Sequence, residues 1–192
     1  MKRVVLTAVV LITMGGTALV RVAADDQTNS DEAKVKRGFE IAPVPLTFDK
    51  GKRALVGLGS YIVNAQGDCA GCHSFPQFEP GGDPFLGEPT VVAQGSYLSG
   101  GAPFFGPFVP RNLTPNAAGR PAGYTLARFV EVLRTGKDLK FREPHVPSDT
   151  NDLLQIMPWP AFRNMTDRDL MAIYEYLKAI PCLDPDATGR CG

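Results

Sequence analysis

Residues 67–75 read GDCAGCHSF, and Cys69 and Cys72 with His73 directly behind them restrict this chain more than any other feature. A pair with this spacing can hold zinc, exchange disulfides or carry a covalent haem. Zinc calls for a second ligand pair at similar spacing, which CLDPDATGRC at 182–191 does not provide. A thioredoxin-like pair wants a strand–helix–strand setting, and no hydrophobic strand leads into Cys69. His73 is what neither use requires. Two thiols about one helical turn apart can add to the two vinyl groups of one haem. The next residue then falls under the iron as proximal ligand. The motif points to one haem c, with zinc or dithiol chemistry as the alternatives.

The first residues bear on that choice. MKRVVLTAVVLITMGGTALVRVAADD has two basic residues, an apolar run from Val4, and small residues before an acidic pair. Residues 1–24 therefore read as a secretory signal, with Val22 and Ala24 suiting the cleavage site. The alternative is an uncleaved membrane tether, although Gly15 and Gly16 interrupt the run. Either way the rest of the chain is expected outside the inner membrane, in the periplasm, where haem c is attached. Cleavage removes Lys2, Arg3 and Arg21 and no acid, leaving 17 basic against 20 acidic side chains, net −3. In an oxidising compartment, close cysteine pairs tend to form disulfides. Cys182 and Cys191, with eight residues between them and neither followed by histidine, are expected to close the C-terminal tail that way.

A haem iron that passes electrons with little rearrangement wants a sixth ligand. Met157 precedes Pro158 and Pro160, which keep the chain extended and out of helix, so its sulfur can be presented sideways. His145, the only other histidine, is the main rival; Met165 is a weaker one.

The rest of the pattern is helical with one long exception. DKGKRALVGLGSYIVNAQG predicts a helix capped by Asp49 and stopped at Gly67, with Ala54, Leu58, Tyr61 and Ala65 on one face. TLARFVEVLRTG predicts a second, capped by Thr125, with Leu126, Phe129, Val130 and Leu133 inward and Gly136 as terminator. TDRDLMAIYEYLKAIP predicts a third, capped by Thr166 with acids in its first turn, burying Leu170, Ile173, Tyr174 and Leu177. Between Phe75 and Gly123, nine prolines and nine glycines in 49 residues predict ordered loop or short hairpins. Residues 25–48 read as a polar N-terminal extension, 49–181 as the folded domain, and 182–192 as the tail.

GLGSY, CAGCH, RNLTP, GYTLARFVEVLRTG and MPWPAFRNMTDRDLMAIYEYL occur in one order over about residues 51–181. In them the chain resembles class I cytochromes c, and more closely the single-haem domains of bacterial dehydrogenase cytochrome subunits. The resemblance implies an all-α cytochrome c-like domain around one covalent haem, here with a long Pro/Gly-rich loop insertion. It implies that the first and last helices cross near Gly57 and Tyr174, and that Met157 is the distal ligand. It further implies that the Arg111–Thr114 loop, through Arg111, Asn112 and Thr114, and Trp159 lie in the haem pocket near the propionates. Tyr124 stands where those domains often have tryptophan, and this chain has one CxxCH where the related subunits usually carry three haems.

These readings together predict a periplasmic monohaem cytochrome, not itself an enzyme, carrying single electrons by a His73/Met157-ligated iron. Its partners are redox proteins, such as a periplasmic or membrane dehydrogenase or a terminal oxidase. No basic cluster suggests nucleic acid, and no small-molecule substrate is expected. GLGSYI lacks the third glycine of a dinucleotide loop and has no preceding strand. Two alternatives stay open: a haem c enzyme or gas sensor with an open distal position, and a cytochrome subunit inside a dehydrogenase complex.

Overall fold

The computed structural model describes residues 30–103, 108–138 and 153–192. The leader at 1–24 and the rival ligand His145 lie outside the described residues. Six α-helices order the rest: α1 at 30–41, α2 Arg53–Tyr61, α3 Cys69–His73, α4 Leu126–Thr135, α5 Trp159–Phe162 and α6 Asp167–Ala179. Among the described residues there are isolated bridges but no strand, as the helical periodicity predicts. None of the described helices is long and apolar enough to cross a membrane.

α2 packs on α6, and backbone contact makes that possible. A Cβ on Gly59 would lie 1.9 Å from the Ala172 carbonyl oxygen. The crossing therefore falls at Gly59 and Ala172, not at Gly57 and Tyr174 as expected. Gly57 instead faces α1, where a Cβ would meet Val35 and Phe39 at 2.7 Å. The Tyr174 hydroxyl donates to the Tyr124 carbonyl at 3.0 Å, and its ring meets Phe129 edge-on. The segment read as a polar lead-in thus contributes a packed helix, fastened by a 2.6 Å bond from Ser60 Oγ to the Gly38 carbonyl. Being covered on two sides changes α2 as well. It buries Val56, Gly57, Leu58, Gly59 and Ser60, whereas Ala54 and Ala65 of the expected stripe are exposed.

The helix ends follow local chemistry with one departure. Asp49 caps nothing with its side chain; a 3₁₀ turn, Lys50–Lys52, leads into α2, which continues as a π-turn over Ile62–Gln66. Thr125 accepts from the Arg128 amide, and Gly136 ends α4 at φ 69°, a left-handed conformation that suits glycine. Thr166 and Asp169 form a reciprocal capping box on α6. The Pro/Gly-rich stretch is ordered where described. Tyr97 and Leu98 are fully buried, and the Leu113 amide donates to the Leu98 carbonyl at 2.8 Å. Tyr97 also reaches the helices by its hydroxyl, 2.7 Å from that of Tyr176 and 2.6 Å from Asn64 Oδ1.

Candidate functional site

The helices enclose a cavity of about 220 Å³ with Cys69, Cys72 and His73 of α3 on its wall. Ile62 and Val63 after α2, Phe129 and Leu133 of α4, and Ile173 and Leu177 of α6 make it apolar. α3 is a single turn, so its short length alone cannot hold it; tertiary bonds do. The Gly100 amide donates to the His73 carbonyl at 2.9 Å, and a Cβ on Gly101 would lie 2.2 Å from the Cys72 carbonyl.

His73 is oriented through its Nδ1, 2.7 Å from the Arg111 carbonyl. A carbonyl only accepts, so Nδ1 carries the proton and Nε2 keeps its lone pair. Burial pushes the imidazole pKa down, ahead of the opposing pull of that carbonyl. A neutral ring with a free Nε2 is the form that ligates metals. Burial, and next the Asp68 carboxylate, push the Cys69 thiol up to about 12. Among the described residues no three His, Cys, Asp or Glu side chains converge to hold a metal ion by themselves.

Met157 and Met165 both line the cavity. Trp159 does not. Its ring lies over Gly136, where a Cβ would come within 2.3 Å, and its Nε1 donates to the Leu154 carbonyl at 3.2 Å. The Leu154 amide in turn donates to the Gly136 carbonyl at 2.8 Å. Trp159 thus ties the Leu153–Pro158 segment, which carries Met157, to the end of α4.

Arg111 lies on the cavity wall; Asn112 and Thr114 lie behind it. Asn112 Oδ1 accepts from the Thr114 amide and hydroxyl at 2.9 and 2.7 Å, and Asn112 Nδ2 donates to the Leu183 carbonyl at 2.8 Å. Leu183 belongs to the tail, which the Cys182–Cys191 disulfide closes. Arg190 of the same ring donates to the Thr114 carbonyl. These residues brace the loop that presents the Arg111 carbonyl to His73.

Asp138 has no counterpart among the residues that the motifs single out. It is 2% exposed on the cavity wall, accepting from the Tyr124 hydroxyl at 2.5 Å and from Arg111 Nη2 at 2.7 Å. A lone aspartate two residues past a helix-stopping glycine looks like a surface residue, and nothing in the local pattern says otherwise.

The donor set fits a haem c. Two neighbouring thiols, a histidine with its second nitrogen free, and apolar walls converge on one cavity, and two thioethers line it too. Helices packed round such a cavity define a cytochrome c-like domain.

Similarity to known proteins agrees. The chain is 30% identical over 132 residues to the gluconate 2-dehydrogenase cytochrome c subunit of Pantoea cypripedii, covering 68% of this chain and 24% of that one. It is 28% identical over 138 residues to the cytochrome c subunit of the quinone alcohol dehydrogenase of Gluconacetobacter polyoxogenes, covering 69% and 24%. The fructose dehydrogenase cytochrome subunit of Gluconobacter japonicus is 28% identical over 138 residues, covering 70% and 23%. The chain thus spans about a quarter of the length of these relatives. No protein-family model matches it, and no solved structure does. Its relatives are cytochrome c subunits of dehydrogenases, consistent with a cytochrome c family related to those subunits.

Proposed function

We propose that this chain is an exported monohaem c-type cytochrome that relays single electrons, working with a dehydrogenase as its electron donor. When bound, the haem supplies the one-electron couple between ferrous and ferric iron. Cys69 and Cys72 would hold it covalently, and His73 would ligate the iron through Nε2. Met157 would supply the distal thioether, which favours the ferrous state. The apolar walls exclude water and keep the ligands fixed, which limits reorganisation. Arg111, on the cavity wall, would meet a propionate.

The observation that carries this reading is the His73 ring, fixed by its Nδ1 bond to Arg111 on the wall that also holds both thiols. A dehydrogenase as partner is favoured by the relatives' names, gluconate 2-dehydrogenase and fructose dehydrogenase cytochrome subunits. Production in a host that matures c-type cytochromes tests it. Haem staining of a denaturing gel should mark the wild-type chain and not the Cys69→Ala/Cys72→Ala variant. Stain retained in the variant would overturn the attachment site. The reduced spectrum should not respond to carbon monoxide; a shifted band would favour the open-site enzyme or sensor.

A further inference from the structure

We propose that Asp138 is a positioning residue for His73, acting through Arg111; the inference rests on the haem reading above. Asp138 Oδ2 takes one arm of the Arg111 guanidinium at 2.7 Å, and Oδ1 takes the Tyr124 hydroxyl at 2.5 Å. The Tyr124 ring also faces the guanidinium, with Arg111 Cζ 5.1 Å from its centroid. Arg111 is therefore gripped at its edge by a buried carboxylate and on its face by an aromatic ring. The carbonyl of that same residue receives the His73 Nδ1 proton. A buried ion pair is weak evidence of stabilisation, since apolar replacements often do as well. What this pair does is hold one backbone carbonyl in register with one imidazole. Such a partner sets the ring's orientation and raises the donor strength of its other nitrogen.

The link has a directional consequence. Without the Asp138 charge, the cavity wall carries one negative charge fewer beside Arg111, and the grip on the Arg111 carbonyl loosens. A weaker Nδ1–H bond makes Nε2 a poorer donor to ferric iron. Both effects favour the ferrous state, so they share one sign. The loop itself has other supports, including the Leu113 amide on the Leu98 carbonyl and the Gly101 amide on the Pro110 carbonyl at 3.1 Å. Asp138→Asn, which keeps the side chain's shape, should therefore alter the link without unfolding the loop.

The test uses the full chain with haem attached. Hydrogen exchange of the His73 Nδ1 proton is followed by NMR in the reduced protein, and the reduction potential by redox titration. Asp138→Asn should exchange this proton several-fold faster than wild type and shift the potential upward, with haem staining unchanged. Arg111→Lys keeps the cation but not the planar fork; it should also speed exchange, with a smaller upward shift. If Asp138→Asn does not accumulate with haem, Arg111→Lys decides. Exchange at the wild-type rate overturns the proposal even if the potential moves, since Asp138 would then act by charge alone. Faster exchange with an unmoved potential also overturns it, because general loosening would suffice. Wild-type protein without covalent haem would overturn the parent reading instead, and the gel tells the two failures apart.

Discussion

The Gly59 backbone rests directly on that of Ala172, so close that a methyl on Gly59 would lie 1.9 Å from the Ala172 carbonyl oxygen and 2.7 Å from Tyr176 Cβ. Neither of the nearest groups is a flexible side-chain end, so α2 and α6 must separate to admit any side chain. Gly59→Ala should destabilise the domain by about 3 kcal/mol, at the upper end of overpacking penalties. Gly51→Ala is the control: nothing lies within 4 Å of its Cβ, and the change should stay within about 1 kcal/mol and be mildly stabilising. Chemical denaturation of the two variants checks the pair. Equal midpoints would mean the helices can shift freely.

Met157, proposed as the distal ligand, and Met165 both reach the cavity. The segment carrying Met157 is pinned by Trp159 to the end of α4, whereas Met165 sits at the entry to α6 with its carbonyl taken by Arg134 at 2.6 Å. Met157→Ala should abolish the weak charge-transfer band of a methionine-ligated ferric haem and lower the potential. Met165→Ala and His145→Ala should keep the band. Loss of the band in Met165→Ala alone would move the assignment there.

The Cys182–Cys191 ring rests on the loop behind the site through Leu183 and Arg190. Replacing both cysteines by serine should cost about 2–3 kcal/mol from loop entropy. The haem spectrum should stay unchanged, because Leu98 holds the loop independently of the ring. Thermal unfolding followed beside the visible spectrum measures both. A changed spectrum at ambient temperature would give the ring a direct part in the site.

Among the described residues, exposed apolar groups stand around the site: Val109 and Ile156 line the cavity yet remain 45% and 37% exposed, and Phe75, two residues past His73, is 67% exposed. With the net charge of −3 expected once residues 1–24 are cleaved, encounter with a redox partner should lean on contact more than on steering. Transfer rates measured between low and high ionic strength should change little. A steep fall with salt would reveal a strongly basic partner surface.

The residue order by itself determined the features that local chemistry controls. CAGCH is legible because the spacing is the chemistry, and the α4 and α6 limits are legible because Thr125, Gly136, Thr166 and Asp169 satisfy nearby backbone groups. Local pattern also placed Cys182 and Cys191 within reach of each other. What it could not carry was anything resting on contact between distant segments. Helix α1 looks polar in sequence because its apolar residues are few; it packs because Gly57 and Gly38 let two backbones meet. Which glycine, Gly57 or Gly59, receives α6 depends on the rotation of α2, and both lie in one GLG step. Asp138 is the extreme case. Its neighbours Lys137 and Gly136 mark a helix end, and only the fold brings Tyr124 and Arg111 onto its carboxylate, turning an ordinary aspartate into a buried one beside the histidine's partner.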